Sequence, residues 1–206
     1  MAGCYAMNQR IMATVLLGLL LAASPGHSGE PSTFAAGIRM TGIYPSAGFD
    51  SRLSNGGNSM DYDWEPELNF EYYLADSLSL EYGLLISQHS FSYGIPIQET
   101  GATNLFTQGL TAKLHLAPGS TLNPYLGGGL NYLVPYDTNS TVPGFSIDSH
   151  LGWTLQGGVD LRVSRVTSIT FDYRYMDMAT QARIGGAAYR FDISSNLVAI
   201  GVKYRY

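Results

Sequence analysis

From Trp64 to Leu74 apolar and polar residues alternate one for one, with Trp64, Pro66, Leu68, Phe70, Tyr72 and Leu74 set against Glu65, Glu67, Asn69, Glu71 and Tyr73. Successive side chains of a strand point to opposite faces, so this segment has one greasy face and one acidic face. The same period of two returns further along. Leu78, Leu80, Tyr82, Leu84 and Ile86 oppose Ser79, Glu81 and Ser87, and Phe106, Leu110, Ala112, Leu114 and Leu116 oppose Thr107, Thr111, Lys113 and His115. Leu151, Trp153, Leu155, Val159 and Leu161 alternate with Thr154, Gln156, Asp160 and Arg162; Ile169, Phe171, Tyr173 and Tyr175 alternate with Thr170, Asp172 and Arg174. Val198, Ile200, Val202, Tyr204 and Tyr206 stand against Lys203 and Arg205. A first strand from about Phe34 to Tyr44 and a fifth from about Tyr125 to Val134 bring the total to eight.

A soluble sandwich also alternates, but its strands cluster near ~5–6 residues, whereas these run to ~10 or more, the length of a tilted strand crossing a bilayer. The connections Ala75 to Ser77, Ala117 to Thr121 and Val163 to Arg165 are short, and those between them run to about a dozen residues or more. That rhythm fits short periplasmic turns and longer extracellular loops, with the N-terminus on the periplasmic side. Aromatics gather at strand ends (Tyr44, Trp64, Tyr72, Tyr132, Trp153, Tyr175, Tyr204, Tyr206), where interfacial girdles lie. The expected fold is all-β, an eight-stranded antiparallel transmembrane β-barrel.

The N-terminus reads differently. A polar stretch ends in Arg10, an apolar run follows from Ile11 to Ala23, and small residues close it at Ser24, Gly26, Ser28 and Gly29. The run is shorter than the ~20 residues a spanning helix needs, so residues 1–28 read as a cleaved secretory signal and residues 29–206 as the barrel of a Gram-negative outer membrane. Cys4, the single cysteine, precedes the apolar run and leaves with the signal.

Composition narrows the function classes. Charged residues are only 13% against 45% hydrophobic, Tyr (15) and Gly (24) are abundant, and the formal net charge is -5 with no Lys/Arg cluster. Nucleic acid is therefore not an expected partner. No His, Asp and Glu stand at metal-ligand spacing, so neither a metal nor another cofactor is expected. His89 has Ser87 two residues away but no acidic orienter beside the pair, and no catalytic residue is assigned.

The inward face carries the candidate chemistry. An eight-stranded barrel is just wide enough for its own side chains to fill it. Arg39, Glu65, Glu67, Glu71, Glu81, Lys113, Asp160, Arg162, Asp172, Arg174, Lys203 and Arg205, with His115 beside them, predict an ion-pair plug in the middle and periplasmic half. Near the extracellular rim the inward positions turn apolar: Ile43, Phe91, Leu105, Met176 and Leu197, interrupted by Glu65 and His150, form a candidate ligand-binding funnel. Pro66 lacks an N–H within a spanning strand and is a candidate lateral exit. Gly127 to Gly129 have no Lys/Ser/Thr at phosphate-loop spacing and read as room for bulky lumen side chains or as a bend.

Three segments resemble the OmpW family of small outer-membrane barrels: Asn123 to Tyr132 (NPYLGGGLNY) its fifth strand, Trp153 to Asp160 (WTLQGGVD) its sixth, and Trp64 to Tyr73 its second. The end of the chain also carries the spacing of a barrel-assembly signal, with Gly201, Tyr204 and Tyr206, although Tyr206 stands where Phe is usual and Ala199 where a polar residue is preferred. The resemblance implies binding or passive passage of small hydrophobic compounds with sideways exit into the bilayer, and no enzymatic step. Outer-membrane lipid, lipopolysaccharide and the barrel-assembly machinery are the other expected partners. A structural or adhesive barrel acting through its loops is the alternative, and a lipid A-modifying enzyme a more distant one.

Overall fold

The computed structural model describes residues 33–45, 48–49, 59–60, 62–94, 98–140, 146–177, 179–184, 187–192 and 194–206. The signal segment expected over 1–28 lies outside the described residues. Eight long strands form the barrel: β1 (Phe34–Pro45), β2 (Asp63–Ala75), β3 (Leu78–Gly94), β4 (Gln98–His115), β5 (Leu122–Ser140), β6 (His150–Arg162), β7 (Thr167–Asp177) and β8 (Ser195–Arg205). Each pairs antiparallel with the next, and β1 pairs with β8 from Ala35 opposite Arg205 to Pro45 opposite Ser195, which closes the sheet on itself. Closure leaves no long edge exposed to lipid, where an unpaired backbone group costs several kcal/mol.

The alternation predicts the faces correctly. Ile38, Leu68, Leu110, Leu126, Leu155 and Ile200 are about half exposed and make the lipid-facing band, while Arg39, Glu67, Thr111, Gln156 and Lys203 on the opposite parity are buried inside. Trp64, Tyr132 and Trp153 stay exposed toward the outer end, and Tyr72, Tyr204 and Tyr206 toward the periplasmic end. The turns fall at Asp76–Ser77, between His115 and Leu122, and between Arg162 and Thr167, within a residue or so of expectation.

The outer end differs from a set of plain loops. β3 and β4 continue as a paired hairpin to Gly94 opposite Gln98, past the inward rim positions Phe91 and Leu105 expected from sequence. Past the bilayer no lipid face has to be matched, so alternation relaxes and the sequence signal fades although backbone pairing goes on. Short strands Gly48–Phe49, Ser146–Ile147, Ala179–Ile184 and Ala187–Asp192 form a separate four-stranded sheet above the barrel, and Ser59–Met60 pairs with Ser92 and Phe91 of β3.

Candidate functional site in the lumen

Seven of the eight strands send a buried charge inward. Arg39 of β1 donates through Nη1 to Asp172 Oδ2 (2.9 Å) and through Nη2 to Glu67 Oε1 (2.7 Å) and Glu81 Oε1 (2.9 Å). Arg174 grips Glu67 with both terminal nitrogens, Nη1 at 2.9 Å from Oε1, and Thr41 adds its hydroxyl to Glu67 Oε2 at 2.7 Å. A second cluster lies nearer the periplasm around Glu71. It accepts from Lys203 Nζ (2.7 Å), Ser79 Oγ (2.5 Å) and His115 Nε2 (3.0 Å), with Lys113 Nζ at 3.3 Å. Lys203 also reaches Asp160 Oδ2 at 2.5 Å, and Lys113 reaches Glu81 Oε2 at 3.0 Å, so Glu81 joins the two clusters.

His115 shows how closely its tautomer is determined. Asn123 Oδ1 accepts the Ala117 N–H at 3.3 Å, which turns its Nδ2 toward His115 Nδ1 at 3.0 Å. Nδ1 is thereby an acceptor, and the Nε2–H donates to Glu71. The ring is held between those of Tyr73 and Tyr125, with centroids 5.4 and 5.8 Å away.

Among its described side chains β5 contributes no charge and makes room instead. A Cβ on Gly127 would stand 2.9 Å from Thr111 Cγ2 and 3.2 Å from Lys113 Cγ, and one on Gly129 only 2.1 Å from the Leu110 carbonyl oxygen. The glycine run therefore admits both a lumen side chain and the neighbouring backbone. Tyr125 of the same strand covers Lys113, whose ammonium lies 3.9 Å from the ring centre.

Above the plug lies an apolar layer. Ile43, Leu105, Met176 and Leu197 are all buried inside the barrel, between 1 and 5% exposed, and Ile43 stands directly opposite Leu197. The backbone of Phe91 sits in β3 opposite Gly101 of β4, and its side chain lies outside the described residues. Leu85 and Leu133 belong to the same layer, at 5% and 0% exposure, and were not singled out from the sequence. The parity of each strand contained the signal: Leu85 lies two residues from Ser87 and four from Glu81, and Leu133 two from Asn131. Glu65 and His150 are half-buried.

Pro66 points outward and lies opposite Met40 of β1. The β1–β2 ladder passes through it and continues to Ile43 opposite Asp63. On the other side, the β2–β3 ladder runs from Ala75 opposite Leu78 to Glu67 opposite Leu85 and stops there, one residue short of the proline. β3 next meets a partner on that side at Phe91 and Ser92, held by Met60 and Ser59. Among the described residues this leaves a gap in the backbone ladder from Ile86 to Ser90, and its lower edge is the rung where the plug residue Glu67 faces the apolar-layer residue Leu85.

The periplasmic mouth is different again. A cup of about 370 Å³ is lined by Tyr73, Asp76, Asp160, Arg162, Arg165, Lys203 and Arg205 among others. Arg162 is exposed and donates to the Gly119 carbonyl at 2.8 Å, and the Arg205 guanidinium stacks 3.9 Å above Tyr73. No three His, Cys, Asp or Glu side chains come together as a metal site among the described residues.

Comparison with known proteins agrees with this architecture. The chain is similar to the uncharacterized outer-membrane protein y4mB of Sinorhizobium fredii (28% identity, covering 89% of this chain and 84% of that protein). It is also similar to outer membrane protein W of Escherichia coli (25% identity, 88% and 90%). Its fold matches the crystal structure of OprG from Pseudomonas aeruginosa with a TM-score of 0.76 at 17% identity, over 86% of this chain and 97% of that one. The OmpW family model matches residues 33–206, the whole barrel from the residue before β1 to the end of the chain, and this outer-membrane protein belongs to the OmpW family.

Proposed function

We propose that this outer-membrane barrel binds or passively admits small hydrophobic compounds at its outer end and releases them sideways into the bilayer, without a catalytic step. The observation that carries the proposal is the position of the β2–β3 gap. It opens where the apolar layer ends and the ion-pair plug begins. A greasy guest in the layer of Ile43, Leu85, Leu105, Leu133, Met176 and Leu197 meets buried charge below it, and entering that region would separate paired charges without offering them a new partner. The wall beside Pro66 is the direction in which it stays in apolar surroundings. The plug itself closes the axis to ions and polar solutes, since its charges are paired and pack the section. In the same proposal, outer-membrane lipid and lipopolysaccharide surround the apolar band, and the barrel-assembly machinery reads the terminal Gly201, Tyr204 and Tyr206.

Two variants test the route. Leu105→Asp places a carboxylate in the apolar layer, and Pro66→Ala returns a backbone donor at the edge of the gap. Each should lower uptake of an apolar probe about tenfold in cells carrying equal amounts of folded protein, while uptake of small hydrophilic solutes stays at the level of cells without the barrel. Unchanged apolar uptake in both variants would remove the route and favour the adhesive role. A loss shared by hydrophilic solutes would mean a general pore.

A further inference from the structure

At the junction between apolar layer and plug lies a small cavity of about 10 Å³, with Leu85 and Met176 on its apolar side and Arg39, Glu67, Asn131 and Arg174 on its polar side. That volume holds a single oxygen atom or water. Gly83 and Gly109 keep it open: a Cβ on Gly83 would lie 2.8 Å from Glu67 Oε1, and one on Gly109 would lie 2.9 Å from Asn131 Oδ1.

The hydrogen-bonding balance around this cavity is one-sided. Among the described residues, the buried side-chain atoms that find no hydrogen-bond partner are Arg39 Nε, Asn131 Nδ2, Arg174 Nε, Gln156 Oε1, Asp160 Oδ1 and Asp172 Oδ1. The three nitrogens belong to residues that line the cavity, and the three oxygens do not. Arg174 Nε has an ionic neighbour, Asp172 Oδ1 at 3.3 Å, whereas Asn131 is 3% exposed and its Nδ2 is left with a donor to place. A buried donor without an acceptor is costly, and an oxygen delivered to it recovers that cost. Charge adds a second filter. The lining residues Arg39 and Arg174 are balanced by Glu67 and Glu81, so a carboxylate head would face two carboxylates and an ammonium head would bring no acceptor at all.

We propose that this cavity reads the polar end of the guest: among small apolar compounds, the barrel favours those with one uncharged oxygen acceptor at the end of the chain, such as a ketone, aldehyde or ester, over the bare alkane and over the carboxylate. The inference rests on the passage proposed above. It assigns Asn131 a specificity-determining role, with the aliphatic part of the guest in the layer of Leu85 and Met176 and the oxygen on the Asn131 amide.

The experiment compares uptake of 2-decanone, decane and decanoate by cells carrying equal amounts of folded wild-type barrel or Asn131→Leu, each corrected for cells without the barrel. Wild type should prefer the ketone to the alkane, and Asn131→Leu should reduce that ratio about tenfold, the worth of one neutral hydrogen bond. A ratio that stays the same in the variant while both compounds pass would overturn the selectivity and leave the passage standing. Uptake of neither compound above barrel-free cells would overturn the passage first. A second measurement does not depend on flux: the carbonyl stretch of 2-decanone bound to the purified barrel in nanodiscs should move to lower frequency with wild type and not with Asn131→Leu. An unshifted stretch at saturation of the wild type would overturn the assignment.

Discussion

The outer and inner halves of the lumen are built from the same strands on the same parity, yet they hold together by different physics. In β1 the inward positions pass from Arg39 through Thr41 to Ile43, and in β3 from Glu81 to Leu85. Above, Leu105, Leu133 and Leu197 are held by dispersion and exclusion of water, and no atom there depends on a single directional partner. Below, each carboxylate depends on particular donors at particular distances, and withdrawing one leaves a neighbouring buried charge with fewer counter-charges. In the proposed route the apolar half is the part that admits a guest, and the ion-paired half is the part that stops it.

The most severe way to break this contrast is Glu71→Leu. It leaves Lys203 and Lys113 short of a buried counter-charge and removes the acceptor of Ser79 and His115. The expected loss is about 3–5 kcal/mol, read as a lower midpoint in urea unfolding of the purified barrel. Leu197→Ala, at 1% exposure in the apolar layer, should cost about 2–4 kcal/mol through lost transfer energy and a residual cavity, and should stay at the low end if neighbouring side chains slide into the space. If the Glu71 variant proves the milder of the two, the plug is ordinary packing and the contrast fails. The smallest effect should come from Arg162→Ala. Its side chain is exposed at the periplasmic mouth and among the described residues donates to the Gly119 carbonyl, so the change should remain within about 0.5 kcal/mol. A larger loss would extend the structural part of the charge network out to the mouth.

Which features could be read from the residues follows from the same physics. The alternation in Trp64–Leu74 is enforced by lipid on one side and the lumen on the other, so strand count, faces and most of the apolar layer were legible, including Ile43, Leu105, Met176 and Leu197 as inward positions. Parity does not tell which charges meet. Strand tilt and stagger decide that Arg39 shares a level with Glu67, Glu81 and Asp172, and that Lys203 reaches Glu71. Pro66 stood out as a missing donor, but that the break falls on the β3 side emerges only from the two ladders seen together. Phe91 and Leu105 carried the strands toward the rim in sequence, but the full length of the hairpin to Gly94 did not show, because its residues leave the bilayer and with it the constraint that writes the pattern.

The charge pairs that link the ends of the chain also bear on how the barrel forms. Arg39 and Asp172 are separated by 133 residues, and Lys203 and Glu71 by 132. Neither pair can form before the first and last strands meet, so loop closure across nearly the whole barrel has to come before these bonds can offset its entropic cost. An open, half-curled sheet could form pairs between adjacent strands, such as Arg39 with Glu67, but would leave Lys203 without Glu71 and Arg39 without Asp172. Closure of the β1–β8 seam thus becomes an all-or-none event in which the final ladder and the final ion pairs appear together.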